Sequence, residues 1–339
     1  MKKIAILVAL LGSIGLAQAQ VSVFGTMDAG ISDAKAPGAA SSTSSFASGG
    51  MTTSHIGIKG AEDLGSGNKA VFELSSFLSN GTGATLGGST ANTFARSAFV
   101  GVENNRLGTL TMGRQSNPSF LPTILFNAYG DSGAYGPLWH ATYFGNTGNR
   151  ATQIYNDTAW DNSVAYTTPS IGGAKVNVMT SKTDGGQNTG GNVLYFAGNL
   201  GLTAYWQRTE ANSTGSFQNN LYTTNQPGTT RGVGASYDLK VAKVFATWQK
   251  AEDQSANLRA GTWQTSALIP AGPGNVMVEY ASSVNKVIST SAKTNFREYA
   301  VGYDLPLSKR TDVYATVGRT EVTGLTDGTT MGAGLRVRF

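Results

Sequence analysis

Apolar residues of this chain recur at every second position over segments of about ten residues, and helical stripes of any length are missing. Met331, Ala333, Leu335, Val337 and Phe339 share one face, against Thr330, Gly332, Gly334, Arg336 and Arg338. Val313, Ala315 and Val317 oppose Asp312, Thr316 and Gly318; Tyr299, Val301, Tyr303 and Leu305 oppose Glu298, Gly302 and Asp304. Val21, Val23 and Met27 alternate with Ser22, Thr26 and Asp28 near the start. Such a chain folds into half-exposed strands. Connections alternate as well. Short ones fall at 62–67, 103–108, 169–173, 198–201, 238–240, 270–274 and 306–310. Long ones, rich in Ser, Thr, Asn and Gly, fall at 32–52, 79–92, 115–150, 182–191, 211–230, 251–259, 285–294 and 323–328. Together they predict sixteen strands.

A soluble sheet closure and a transmembrane barrel share this alternation and differ in which face meets water. Glycine separates them. The chain has 44 Gly in 339 residues, about twice the usual share, concentrated on the more polar face. Small residues leave space there, which a wide soluble core could not tolerate. An even strand count with short turns at one end and long loops at the other fits an all-β transmembrane antiparallel barrel. Closure also removes the unpaired edges that lipid excludes.

Residues 1–19 read as a secretory signal peptide: basic Met1-Lys2-Lys3, an apolar run from Ile4 to Leu16, and small residues in Ala17-Gln18-Ala19. Cleavage is expected before Gln20, which leaves 20–339 as one barrel domain. The apolar run is too short to span ~30 Å of hydrocarbon as a helix. Losing Lys2 and Lys3 lowers the formal net charge from +5 to +3, with no basic block that would mark a nucleic-acid surface. Zero cysteine excludes disulfides, thiolate metal sites and thiol nucleophiles. Two histidines, His55 and His140, are too few for a multi-histidine zinc site.

Several stretches, in order, resemble the general-diffusion porins of Gram-negative bacteria, closest to the betaproteobacterial type. They include Val23-Phe24-Gly25-Thr26-Met27-Asp28, Ser54-His55-Ile56-Gly57-Ile58-Lys59-Gly60-Ala61-Glu62-Asp63-Leu64-Gly65, and Arg96-Ser97-Ala98-Phe99-Val100-Gly101-Val102. Leu107-Gly108-Thr109-Leu110-Thr111-Met112-Gly113-Arg114-Gln115, Gly302-Tyr303-Asp304-Leu305 and the terminal Arg338-Phe339 extend the likeness over essentially all of 20–339. The resemblance implies a homotrimer in outer-membrane lipid and lipopolysaccharide, with a long third loop folded inward to narrow the pore. Segment 115–150 is the third loop by count, and its Tyr129, Trp139, Tyr143 and Phe144 make it too aromatic for a disordered tether. The resemblance also makes Phe339 a recognition signal for the outer-membrane assembly machinery.

Charges on a narrow lumen set selectivity. Near the third loop the basic residues are His55, Lys59, Arg96, Arg114 and Arg150, opposed by Glu73 and by Asp131, the only acid in 115–149. Arg96 shares parity with lipid-facing Ala98 and Val100, so it needs a strand end or a bulge to turn inward. The inventory predicts passive passage of small ions and hydrophilic solutes with a modest anion preference. That preference strengthens below about pH 6 as His55 gains charge. No cofactor is called for. A serine-histidine enzyme would need His55 or His140, and neither sits in a hydrolase motif. A channel specific for sugars or carboxylates is the alternative, kept open by Tyr129, Tyr135, Trp139 and Tyr143.

Overall fold

The computed structural model describes residues 20–85, 93–144, 158–183, 186–210, 228–254 and 257–339. Their strands are β1 (Gln20–Lys35), β2 (Thr43–Ser48), β3 (His55–Gly65), β4 (Asn68–Phe77), β5 (Ser97–Asn104) and β6 (Gly108–Ser116). The series continues with β7 (Ala159–Thr167), β8 (Ala174–Thr183), β9 (Gly186–Ala197), β10 (Leu200–Thr209), β11 (Gly228–Asp238) and β12 (Lys243–Asp253). It ends with β13 (Leu258–Ala271), β14 (Gly274–Val287), β15 (Lys293–Pro306), β16 (Thr311–Val322) and β17 (Gly328–Arg338). Sequential neighbours pair antiparallel except β2 and β3, which both pair with β1, and β1 closes the ring on β17.

The seventeen segments make sixteen staves, because β2 and β3 both pair with β1 on the edge away from β17. They are one stave interrupted at 49–54. Along the staves the expected faces separate: Val23, Val100, Val233, Val301 and Leu335 are exposed, while Asp28, Ser163, Thr203, Glu279 and Arg336 are buried. Trp206, Trp248, Trp263 and Tyr299 are exposed on the outward face, and Tyr280 stands 4.9 Å from Trp263 and 4.8 Å from Tyr299. This row of rings is an aromatic girdle of the kind that sits at a membrane interface.

Two expectations need correction. The loops placed at 32–52, 182–191, 251–259 and 285–294 are shorter, since β1, β2, β9, β13 and β14 run into them. Polar and glycine-rich composition marks chain that leaves the lipid, and a stave keeps its ladder hydrogen bonds beyond that level. Segment 115–150 is not structureless either. It carries helix α1 (Phe120–Leu125), the single turn α2 (Pro137–Trp139) and a wide turn over His140–Phe144. Residues 1–19 and Arg150 lie outside the described residues.

Candidate functional site

Bonds from segment 117–144 reach polar-face residues on six staves. The Asn192 side chain on β9 donates to the Pro118 carbonyl (2.8 Å), and Gln207 on β10 accepts from Ser119 N–H (3.1 Å). On β13, Gln264 donates to the Phe126 carbonyl (2.9 Å) and Ser266 accepts from Ala128 N–H (3.0 Å). Glu279 on β14 accepts from Leu138 N–H (2.8 Å), and Tyr129 shares a hydrogen bond with Thr316 on β16 (2.9 Å).

His140 supplies the most polar of these contacts. Its Nδ1 lies 2.9 and 3.0 Å from the Glu298 carboxylate oxygens on β15, and its Nε2 lies 3.0 Å from the Gly133 carbonyl. Both ring nitrogens face acceptors, an arrangement that favours the protonated ring. Burial alone would push its pKa down; the Glu298 charge and hydrogen bond, with the Gly133 carbonyl, more than offset this and raise it.

The interruption at 49–54 meets the same segment. Ser132 donates to the Gly50 carbonyl (2.8 Å), and the Thr52 hydroxyl donates to Asp131 (3.1 Å) while accepting from Arg336 (2.8 Å). Burial raises the Asp131 pKa, only partly countered by the Thr52 hydrogen bond. Tyr135 packs on glycine: a Cβ at Gly332 would stand 2.1 Å from its hydroxyl. On this stave the space left by glycine is filled by an aromatic ring.

The residues singled out from sequence divide into two groups. Thr53, His55, Phe77 and Arg96 line one side of a cavity of about 80 Å³, and Phe120, Ile124, Asp131 and Trp139 line the other. His55 donates through Nδ1 to the Thr53 carbonyl (2.9 Å) and meets Phe24 edge to face. Arg96 precedes the first residue of β5 and turns to Glu73 (3.2 Å) and Ser75 (3.3 Å). Lys59 lies away from this cavity, exposed, with Nζ 5.0 Å from the centre of the Phe24 ring.

Arg114 is buried. Its parity matches outward Met112, but the ladder slips between Gly113 and Gln115, and Gly113 takes a φ of +131° that side chains rarely adopt. That bulge aims Arg114 at the Ala95 carbonyl (2.5 Å) and at Asp161 (2.7 Å). Asp161, Glu279 and Glu298 were missed as partners of the loop region. Their alternation marks a face, and only the folded chain shows what stands opposite. At the far end, Phe339 and Gly25 exchange backbone hydrogen bonds of 3.0 Å.

The comparisons agree with this geometry. The family model described as Gram-negative porin matches residues 5–325. Outer membrane porin protein 32 of Delftia acidovorans is 28% identical over 94% of this chain and 89% of its own length. An outer membrane porin of Bordetella pertussis is 26% identical over the whole of both chains. Among solved structures, the anion-selective porin from Comamonas acidovorans superposes with a TM-score of 0.77 at 23% identity, covering 95% of this chain and all of that one. The barrel, its outward apolar face and these matches carry one conclusion: the chain belongs to the Gram-negative porin family and is a channel-forming protein of the outer membrane.

Proposed function

We propose that the protein is a passive, water-filled pore for small ions and hydrophilic solutes, with a modest preference for anions and no covalent chemistry. Segment 117–144 lies across the lumen as its constriction, seated on β9, β10 and β13 to β16. The passage runs between it and the wall of Thr53, His55 and Arg96. Polar solutes cross because the lumen spares them the cost of entering hydrocarbon. The observation that carries the sign of selectivity is the fate of Asp131. Its carboxyl is held by Thr52 and pushed by burial toward its neutral form, whereas Lys59 stays exposed and Arg96 is a third exposed. The name of the Comamonas relative, an anion-selective porin, supports the same sign.

Further parts of this reading are a signal peptide over 1–19, cleaved before Gln20, and Phe339 as the assembly signal. The native form is a homotrimer. Its contact surface is the outward face of β1, β2 and β17, where exposed Ile31, Phe46 and Met331 line an apolar groove. Reversal potentials in a potassium chloride gradient test the selectivity. The wild type gives an anion-side potential that shrinks in Arg96→Ala and whose strengthening at acid pH is lost in His55→Ala, and a cation-side potential at pH 7 would sink the charge assignment. Mass measurement in mild detergent showing only monomers would sink the trimer.

A further inference from the structure

Beside the short-turn end of the barrel, β8, β9 and the loop helix enclose a recess of about 520 Å³. One wall is apolar. Leu194 and Phe196 come from β9 and Leu121 from α1, and Leu121 and Phe196 keep 40% and 46% of their surface exposed. Phe196 is also stacked on Phe126 of the loop, with ring centroids 5.8 Å apart, so its orientation is fixed. The opposite wall is polar. Lys175 stands directly across the ladder from Leu194, exposed, with no carboxylate partner among the described residues. Thr167 accepts from the Asn177 amide at 2.9 Å, which leaves its own proton free to donate outward, and the exposed Ser116 hydroxyl lines the same space.

The combination is selective. Exposed apolar surface in a wet lumen gains by covering itself, and an unpaired ammonium gains by meeting an anion. A simple inorganic ion would use the lysine and waste the apolar wall. A neutral sugar would use the ring and hydroxyls and leave the charge unmet. From the register of Lys175 against Leu194 and the fixed Phe196 ring, we infer that this recess is a binding subsite for small carboxylates bearing an apolar ring or chain. The carboxylate sits against Lys175 and Thr167, and the apolar part lies on Phe196, Leu194 and Leu121. This rests on the reading of the lumen as the permeation path.

Benzoate is the probe, with acetate, phosphate and benzyl alcohol as controls, added to single channels in potassium chloride. Benzoate reduces the current at a concentration about tenfold below acetate or phosphate, and benzyl alcohol has little effect. Lys175→Met weakens benzoate block about tenfold and leaves the ring contact, so benzoate and benzyl alcohol become similar. Phe196→Leu keeps packing against Phe126 and brings benzoate down to the level of acetate. Equal block by benzoate and acetate in the wild type overturns the subsite, as does unchanged benzoate block in both variants. A chain that folds as a barrel but conducts no potassium chloride overturns the pore reading instead, so the two failures are distinguishable.

Discussion

The hydroxyl of Tyr314 donates a 2.6 Å hydrogen bond to the carboxylate of Asp28, 286 residues earlier in the chain. The second oxygen of that carboxylate accepts the N–H groups of Met51 and Thr52, both at 2.8 Å. One buried acid therefore ties the last hairpin to the interruption of the second stave. Through Thr52 it reaches Asp131 in segment 117–144.

Replacing Asp28 by Ala strands two backbone donors and the Tyr314 hydroxyl. Each buried unsatisfied group costs about 1–3 kcal/mol. Asp28→Ala is expected to lower the thermal midpoint of the refolded barrel and to increase single-channel noise, with Asp28→Asn intermediate. A thermal scan beside current recordings checks both. An Asp28→Ala channel as quiet and as stable as the wild type would remove Asp28 from the support of the loop.

His140 gives a pH dependence with a definite sign. Its folded-state pKa is raised above the ordinary ~6.5, so its contribution is complete below that pH and is lost as pH rises through the raised value. The groups facing it are Glu298 and the Gly133 carbonyl, with Glu279 nearby. Conductance fluctuations are expected to grow on the alkaline side, and His140→Leu is expected to show them at neutral pH. Fluctuations that grow equally with pH in His140→Leu would place the titration elsewhere.

At Gly332 the loop needs the absence of a side chain. Valine there drives Tyr135 from its seat at an overpacking cost of about 1–3 kcal/mol. Single-channel conductance is expected to shift away from the wild-type value in Gly332→Val, and Gly332→Val combined with Tyr135→Ala to recover stability. Identical conductance in wild type and Gly332→Val would contradict the close approach.

Arg114 and Asp161 form a 2.7 Å ion pair whose arginine is 8% exposed. Removing Arg114 alone leaves an acid unpaired, which lowers stability by about 1–3 kcal/mol and moves the reversal potential toward cations. Removing both is expected to restore most of each quantity. A double variant as perturbed as Arg114→Ala would mean that the pair does not act as a unit.

The ladder of staves was readable because lipid imposes a period of two and the short turns punctuate it. Sequence named Glu62–Gly67 and Glu103–Gly108 as turns, and β3 to β6 hinge there. Alternation gives the face of a residue but neither its height nor what stands opposite. The break between β2 and β3 is hidden in sequence inside the loop expected at 32–52, because Gly49 and Gly50 stand there amid serine and threonine. The partners of His140 and Arg114 left no trace in local pattern. Glu298 lies 158 residues from His140, and Arg114 turns inward only because the ladder slips beside it.

The seats of segment 117–144 on β9, β10 and β13 to β16 lie 74 to 187 residues downstream of the groups that occupy them. Hairpins between neighbouring staves are local and need no such wait. The order of events follows from loop-closure entropy: the segment cannot settle until β9, β10 and β13 to β16 stand in place. A barrel stalled before β16 would leave segment 117–144 without its last seats, so the seated segment is itself the mark of a finished molecule.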